Sequence, residues 1–316
     1  MRLEELPTPV PGPGQVLVRV HAASLNFLDV QKRRGELAGQ AFYKSANEPQ
    51  LPATLGSQGA GVIEALGPDV TKFAAGDRVV FAGSSYATHA VVPARWLIPI
   101  PDQISLPLAA AGMNQGFLAY AFTHFAYPIK QQDWCLIHAA AGGMGLLLCQ
   151  MAKIRQGRVI GVTSSEGKAG FVKEAGADEI IISTQTDIAK EARRITQGQG
   201  VRVVYDGVGK DTFNASLDSL APAGYLVLYG QSSGYVPPFD LMTLQDKGSL
   251  FITRTNGLPY LNEYPQYLRQ FVSWINGGQL SVRIEHTYPL AEAAQAHAAF
   301  EQRRVSGRML LLPDAP

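Results

Sequence analysis

Past residue 134 the chain alternates short apolar runs with helical stretches, and that rhythm constrains its fold more than any other property. Trp134 to Ala139 reads as a buried strand, Gly145 to Lys153 as a helix and Arg158 to Val162 as a second strand. A helix from Glu166 to Glu174 is stopped by Gly176. Strands at Ile180–Ile182, Val201–Asp206 and Tyr225–Tyr229 follow, with helical stretches between them. Parallel neighbours need crossover connections, so the alternation predicts an α/β architecture: a doubly wound parallel sheet with helices on both faces.

The first hundred residues follow a different rule. Val16–Val20, Gly61–Leu66 and Arg78–Phe81 are short strands punctuated by Gly and Pro, which predicts a β-rich, barrel-like region behind a Pro-rich lead-in (Pro7, Pro9, Pro11, Pro13). A helical stretch begins near Leu106, and the tail adds helices over Tyr264–Asn276 and Ala291–Gln302 and a last strand over Met309–Leu312. With 316 residues, 46% of them hydrophobic, the chain has enough material for two domains with substantial cores.

The formal net charge is +1 and the two signs are mixed along the chain, which gives nucleic-acid or membrane-surface binding no electrostatic support. No apolar run approaches the roughly 18 residues of a membrane span, and residues 1–7 lack the layout of a signal peptide, so the expected compartment is the cytoplasm. Cys135 and Cys149, the two cysteines, sit in apolar segments and read as core residues.

Between the first strand of the alternating region and its helix lies Ala139-Ala140-Ala141-Gly142-Gly143-Met144-Gly145, a GxGxxG turn with Ala140 in the place of the first glycine. Gly142 lets backbone approach a pyrophosphate, Gly145 lets helix pack on strand, and the helix N-terminus supplies amides and a positive dipole end. This predicts dinucleotide binding by Ala140, Gly142, Gly143, Met144 and Gly145. The second strand names the cofactor. An NAD site carries Asp or Glu at its end, about 20 residues on. Here the strand ends Thr163-Ser164-Ser165, with Lys168 in the next element, where hydroxyls and an ammonium suit a 2′-phosphate; NADPH is the expected cofactor.

Taken in order, Gly12-Pro13-Gly14-Gln15-Val16-Leu17-Val18, Asn26-Phe27-Leu28-Asp29, Gly76-Asp77-Arg78-Val79, the stretch His138 to Gly145, Gly176-Ala177-Asp178, Tyr205-Asp206-Gly207-Val208-Gly209, Gly230-Gln231-Ser232-Ser233-Gly234 and Tyr288-Pro289-Leu290 resemble one family. It is the quinone oxidoreductase (zeta-crystallin-like) branch of the zinc-free medium-chain dehydrogenase/reductase superfamily. The resemblance implies a GroES-like substrate domain over 1–108, a Rossmann NADPH-binding domain over 109–250, and a segment 251–316 returning to the first domain. It implies an active site in the cleft between domains, and a homodimer built through the cofactor domain. Zinc-dependent relatives carry an early Cys and a Gly-His-Glu element; this chain has no Cys before Cys135 and has Gly56-Ser57-Gln58-Gly59 there, so no metal is expected. The histidines (His21, His89, His124, His138, His286, His297) show no ligand spacing.

Without a metal to polarise an alcohol, an electron-poor acceptor is the expected substrate, so the reading is NADPH-dependent hydride transfer to a quinone or similar small molecule. The alternatives are an enone or alkenal double-bond reductase, and a weakly catalytic NADPH-binding sensor or RNA-binding protein. By resemblance Asn26 approaches both nicotinamide and substrate, Asp29 supports it one turn on, and Gln58 replaces the metal-side acid as an amide donor. Read as structure alone, Asn26 and Asp29 are a helix cap. Gln115 and Gly116 match the element on the nicotinamide side, Gly230, Gln231, Ser232 and Ser233 the loop after the fifth strand, and Arg254 and Arg308 basic positions near the cleft. Tyr205-Asp206 reads as mainly structural. Gln31, Leu37 and Ser183 stand where some relatives have tyrosines, which leaves the proton donor unassigned, with Tyr43 a nearby candidate. The chain also opens without the family's usual first strand, so the substrate domain is expected to lack one edge strand.

Overall fold

A computed structural model describes residues 1–36, 53–303 and 305–313. The chain divides into two compact units, one formed by Met1–Asn114 with Ile284–Pro316 and the other by Gln115–Arg283. In chain order the first unit opens with β1 (Gln15–Ser24), α1 (Phe27–Arg33), β2 (Gly59–Leu66), β3 (Arg78–Phe81), β4 (His89–Pro93) and β5 (Ile98–Pro99). Helix α2 (Leu106–Ala121) contains the boundary between the units. The second unit runs β6 (Trp134–Ile137), α3 (Gly143–Ile154), β7 (Arg158–Thr163), α4 (Ala169–Glu174), β8 (Glu179–Ile182), α5 (Ile188–Ile195), β9 (Val201–Asp206), α6 (Phe213–Ser219), β10 (Leu220–Leu228), α7 (Met242–Asp246), β11 (Phe251–Arg254) and α8 (Tyr264–Asn276). The return to the first unit is β12 (Ile284–Pro289), α9 (Ala293–Glu301) and β13 (Arg308–Leu312).

Among the described residues the first unit holds a seven-stranded sheet ordered β12-β13-β1-β2-β3-β5, with β4 on β1. β1 pairs antiparallel with β2, β4 and β13. Its alternate residues Val16, Val18 and Val20 are fully buried with Ile63, Val79 and Phe81, the period-2 burial of a sheet with one packed face. Chain termini meet here: Ala23 and Ser24 pair with Leu311 and Leu310, so the last strand completes the sheet begun by the first.

The second unit holds a six-stranded sheet ordered β11-β10-β9-β6-β7-β8, every pairing parallel. The strand order reverses between β6 and β9, which puts the topological switch point at their carboxyl ends. Leu136, Ile160, Val204 and Leu226 are fully or almost fully buried from this sheet, as strands covered on both faces require. The chain's segment 251–283 belongs to this unit, not to the returning part expected from 251: Phe251–Arg254 hydrogen-bonds in register beside Tyr225–Leu228, and the return begins at Ile284. Among the described residues, no helix is long and apolar enough to cross a membrane. Cys135 and Cys149 are free and fully buried, as their apolar surroundings predict.

Candidate functional site

In the second unit the carboxyl edge of the sheet carries the glycine turn, the segment 164–168 and the loop 230–233, while Asn26 and Arg308 lie in the first unit. β6 ends at Ile137 and the chain turns through Ala139, held at φ 49°, with Ala140 N–H donating to Val162 O at 2.9 Å. Gly142 is the N-cap of α3, in extended backbone (φ −77°, ψ 166°), and its N–H donates to Ala139 O at 2.9 Å. Gly145 sits where a Cβ would lie 2.4 Å from Ala139 O and 2.6 Å from Ala140 Cα, so only glycine lets α3 close onto the turn. The first-turn amides of α3 then face outward with a positive dipole end, suited to a pyrophosphate. Next along the edge, β7 delivers Ser164 and Ser165, both exposed, and Lys168 closes a short 3₁₀ turn as the N-cap of α4 rather than standing one turn inside a helix. Glu166 accepts a hydrogen bond from Gln185 Nε2 at 3.2 Å. Ser183 donates to Thr163 O at 3.3 Å, tying β8 to the end of β7.

The neighbouring loop, Gly230 to Ser233, is half-buried and shaped from beneath by Asp206. Asp206 Oδ1 accepts from Val208 N–H (2.7 Å) and Gly209 N–H (3.0 Å), and its Oδ2 from Thr212 (2.7 Å) and Ser216 (2.8 Å) hydroxyls. Ser232 and Ser233 N–H groups donate to Gly207 O and Val208 O, so the loop rides on the segment Asp206 fixes. His138, one residue before the turn, bonds Ser216 Oγ at 2.9 Å through Nε2, and burial keeps its pKa below the ordinary value. Thus Asp206 is structural, as the sequence reading has it, and through Ser216 it links two walls of the same edge. Gly116 lies against Tyr267 within an aromatic group that includes Phe117 and Tyr120. Arg254, exposed at the end of β11, donates to Leu228 O at 3.2 Å.

The first unit builds a separate polar centre where β1 hands over to α1. Asn26 is the N-cap (φ −122°, ψ 157°), and its backbone N–H donates to Asp29 Oδ2 at 2.9 Å. Its side-chain Nδ2 donates to Ser57 Oγ (2.9 Å) and Ser24 O (3.2 Å), while its Oδ1 accepts from Arg308 Nη2 at 2.8 Å. Ser57 Oγ donates in turn to Asp29 Oδ2 at 3.1 Å, and Arg308 also donates to Ser24 Oγ. Asp29 is fully buried, and burial lifts its carboxyl from 3.8 to about 6 against hydrogen bonds from Asn26 and Ser57 and the charges of Lys32 and Arg308. Arg308 is pushed down to about 10 by the same burial. Tyr86 bonds His297 Nε2 at 3.1 Å, and burial with the nearby Asp29 charge raises its pKa.

Two family descriptions match this layout: residues 12–102 match the alcohol dehydrogenase GroES-like domain and residues 143–273 the zinc-binding dehydrogenase domain. The chain is 39% identical to a quinone oxidoreductase of Pseudomonas aeruginosa over 96% of its own length and 92% of that protein. The chain belongs to the quinone oxidoreductase branch of the zinc-free medium-chain dehydrogenase/reductase superfamily. It is also 37% identical to a 2-haloacrylate reductase of a Burkholderia species (99% and 95% covered). A solved Escherichia coli quinone oxidoreductase complexed with NADPH superposes with a TM-score of 0.89 at 34% identity, covering 98% of this chain and 95% of that one.

In this member of the branch, no three His, Cys, Asp or Glu side chains among the described residues come together as a metal would require. Gln58 donates one amide N–H to Ala110 O at 2.6 Å, which ties the start of β2 to α2 and fixes the side chain's orientation. Arg308 is only 7% exposed and holds Asn26, instead of presenting a surface charge. Gln31 is buried on α1. Leu37 and Tyr43 lie outside the described residues. Ser57, Ser24 and Tyr86 were not singled out from sequence. For Ser57 a signal existed: it stands where zinc-dependent relatives place the histidine of Gly-His-Glu.

Proposed function

We propose that this chain is an NADPH-dependent oxidoreductase that passes a hydride to a quinone or a similar electron-poor small molecule. The observation that carries the reading is the Gly145 contact: a turn that admits no side chain, at the switch point of a parallel sheet, in a chain of this family. Ala140, Gly142, Gly143, Met144 and Gly145 would hold the pyrophosphate, and Ser164, Ser165 and Lys168 the 2′-phosphate. Gly230, Gln231, Ser232 and Ser233 would line the nicotinamide end with Gln115 and Gly116. Bound there, NADPH supplies the hydride. The chain's own residues orient the acceptor and balance the charge that develops on it, with Asn26 held by Arg308 and Ser57 and backed by Asp29. The donor set offers no metal ligands at the Gly-His-Glu position, so the acceptor must be activated by its own electron deficiency.

The likeness to the 2-haloacrylate reductase favours a second reading on the same site, in which the hydride goes to a double bond conjugated to a carbonyl. Steady-state oxidation of NADPH and NADH with 1,4-quinones and with simple enones separates the two. Quinone turnover with NADPH supports the first; turnover confined to enones moves the assignment to the second. No nucleotide binding overturns both. Lys168→Ala is expected to weaken NADPH about tenfold, the loss of one charge-assisted contact, with NADH unchanged. Equal weakening of both nucleotides in a binding titration removes Lys168 from the phosphate site.

The protein acts as a homodimer in the cytoplasm in this reading. Strand β11 ends the second sheet with Phe251 exposed, 4.6 Å from Tyr225 between ring centres, an edge that invites a second copy. Phe251→Lys is expected to convert a dimer in light scattering to a monomer; an unchanged mass would place the interface elsewhere.

A further inference from the structure

Adding a hydride to a conjugated carbonyl or a quinone leaves an electron pair on oxygen, and that oxygen needs a proton. The amides of Asn26 and Gln58 are too weakly acidic to give one. Asp29 is acidic but fully buried; its Oδ2 accepts from Asn26 N–H and Ser57 Oγ, and among the described residues the one further hydroxyl close to the carboxyl is that of Tyr86, itself committed to His297. Ser24, Asn26 and Arg308 are buried as well, whereas Ser57 keeps part of its surface. The Ser57 hydroxyl touches Asp29 on one side and Asn26 Nδ2 on the other, so it forms a bridge out of the buried carboxyl. Its position is set tightly: Gly56 has φ +99°, and a Cβ there would lie 2.2 Å from Ser85 Oγ and 2.7 Å from Ser85 N.

We infer that Ser57 is the residue that hands the proton to the reduced acceptor, with the Asp29 carboxyl behind it as the source. The inference rests on the oxidoreductase reading above. As the hydride from the nicotinamide cofactor reaches the acceptor, an electron pair moves onto the acceptor oxygen. With Asp29 protonated, its O–H donates to Ser57 Oγ, the reverse of the bond to the ionised carboxylate, which frees the Ser57 hydrogen for the acceptor; the Ser57 Oγ–H bond breaks as the new O–H bond forms. Oγ takes the proton of the Asp29 carboxyl, which ends as a carboxylate, and Ser57 ends unchanged. Water returns a proton to Asp29 through the same hydroxyl once product has left. The groups facing Asp29 set when it carries that proton: Lys32 on α1, Arg308 on β13, and Tyr86, itself bonded to His297 on α9. Burial outweighs the two cations, so the carboxyl titrates near 6, where a proton reservoir for neutral pH is useful.

The test compares the wild type with Ser57→Ala, Ser57→Thr and Asp29→Asn. Ser57→Ala is expected to lower kcat about 100-fold while the NADPH Kd stays within about twofold, and Ser57→Thr, which keeps the hydroxyl, to recover most of the rate. Wild-type kcat is expected to fall as pH rises through about 6, where Asp29 loses its proton, and Asp29→Asn to give a low, flat profile. Infrared spectra of the nucleotide-free protein provide a reading independent of turnover. A protonated-carboxyl band is expected at pH 5 and lost by pH 8, absent in Asp29→Asn. In Ser57→Ala it should persist to higher pH, because the Ser57 hydrogen bond favours the carboxylate. Wild-type kcat in Ser57→Ala, or no protonated carboxyl in the wild type at pH 5, overturns the inference alone. No turnover of any quinone or enone by the wild type overturns the oxidoreductase reading, and the proton relay with it.

Discussion

Arg308→Met is expected to destabilise the protein by about 3 kcal/mol, and by more at pH 8 than at pH 5. Arg308 is buried, donates to Asn26 Oδ1 and Ser24 Oγ, and its charge is among those that lower the pKa of Asp29. Methionine fills similar volume but leaves the carboxylate without that cation, and two acceptors without their donor. The sign with pH follows from Asp29. Its folded pKa, about 6, lies above the 3.8 of an exposed carboxyl, so the folded state binds the proton more tightly. The stability that this proton contributes is complete below the unfolded value and is lost as pH rises through the folded one. Removing the Arg308 charge raises the folded pKa further, which extends the loss to higher pH. Thermal unfolding at the two pH values measures it, with a shift of roughly 6–10 °C expected at pH 8. Asp29→Asn in the Arg308→Met background should recover much of that loss, because the uncompensated charge is gone. Equal destabilisation at both pH values would mean that Arg308 acts only as a donor to Asn26 and Ser24.

How much of this was legible in the sequence depends on where burial comes from. Strands β6, β7 and β9 are covered on both faces, so each carries an apolar core (residues 135–137, 159–162 and 203–205) that stands out in the sequence, and the glycine turn follows the first of them at once. Strands β4, β5, β11 and β12 were missed. Phe251–Arg254 and Ile284–Pro289 have no fully buried position, and Ile98–Pro99 is only a two-residue strand beside β3. Such edge strands are made by a neighbour's hydrogen bonds more than by their own composition. That is also why the return to the first unit was expected at 251 and is found at 284.

The candidate site divides the same way. The cofactor edge is local, since each of its residues lies within a few positions of a strand end, and a pattern of glycines and hydroxyls reveals it. The Asn26 centre is non-local. Arg308 meets Asn26 across 282 positions and Ser57 meets it across 31, contacts that no spacing rule encodes. Sequence named Asn26, Asp29 and Arg308 through family likeness, but not that the arginine holds the asparagine. The cap reading of Asn26 and Asp29 is the one the geometry shows: the Asp29 carboxylate caps the Asn26 N–H, and the Asn26 amide bonds Ser57 and Arg308.

Two substitutions in the glycine turn separate packing from cofactor approach. In Gly145→Val the new Cβ meets backbone at 2.4 and 2.6 Å, and backbone on both sides cannot yield, so the first turn of α3 must move off the turn after β6. Overpacking of this kind costs about 1–3 kcal/mol and displaces the amides that face the pyrophosphate, so NADPH binding should weaken about 100-fold and the unfolding temperature should fall. Gly142→Ala meets only Ala139 O, at 3.2 Å, and its backbone (φ −77°, ψ 166°) suits any residue. Its fold should survive with little change in thermal stability. The methyl instead occupies the space through which the pyrophosphate reaches backbone, and NADPH binding should weaken about tenfold. Fluorescence titration with NADPH alongside thermal unfolding resolves the pair. Wild-type affinity in Gly142→Ala would mean that phosphate does not approach the chain at Gly142. A loss in Gly145→Val alone would then make the turn a packing device, with the cofactor held chiefly by Ser164, Ser165 and Lys168.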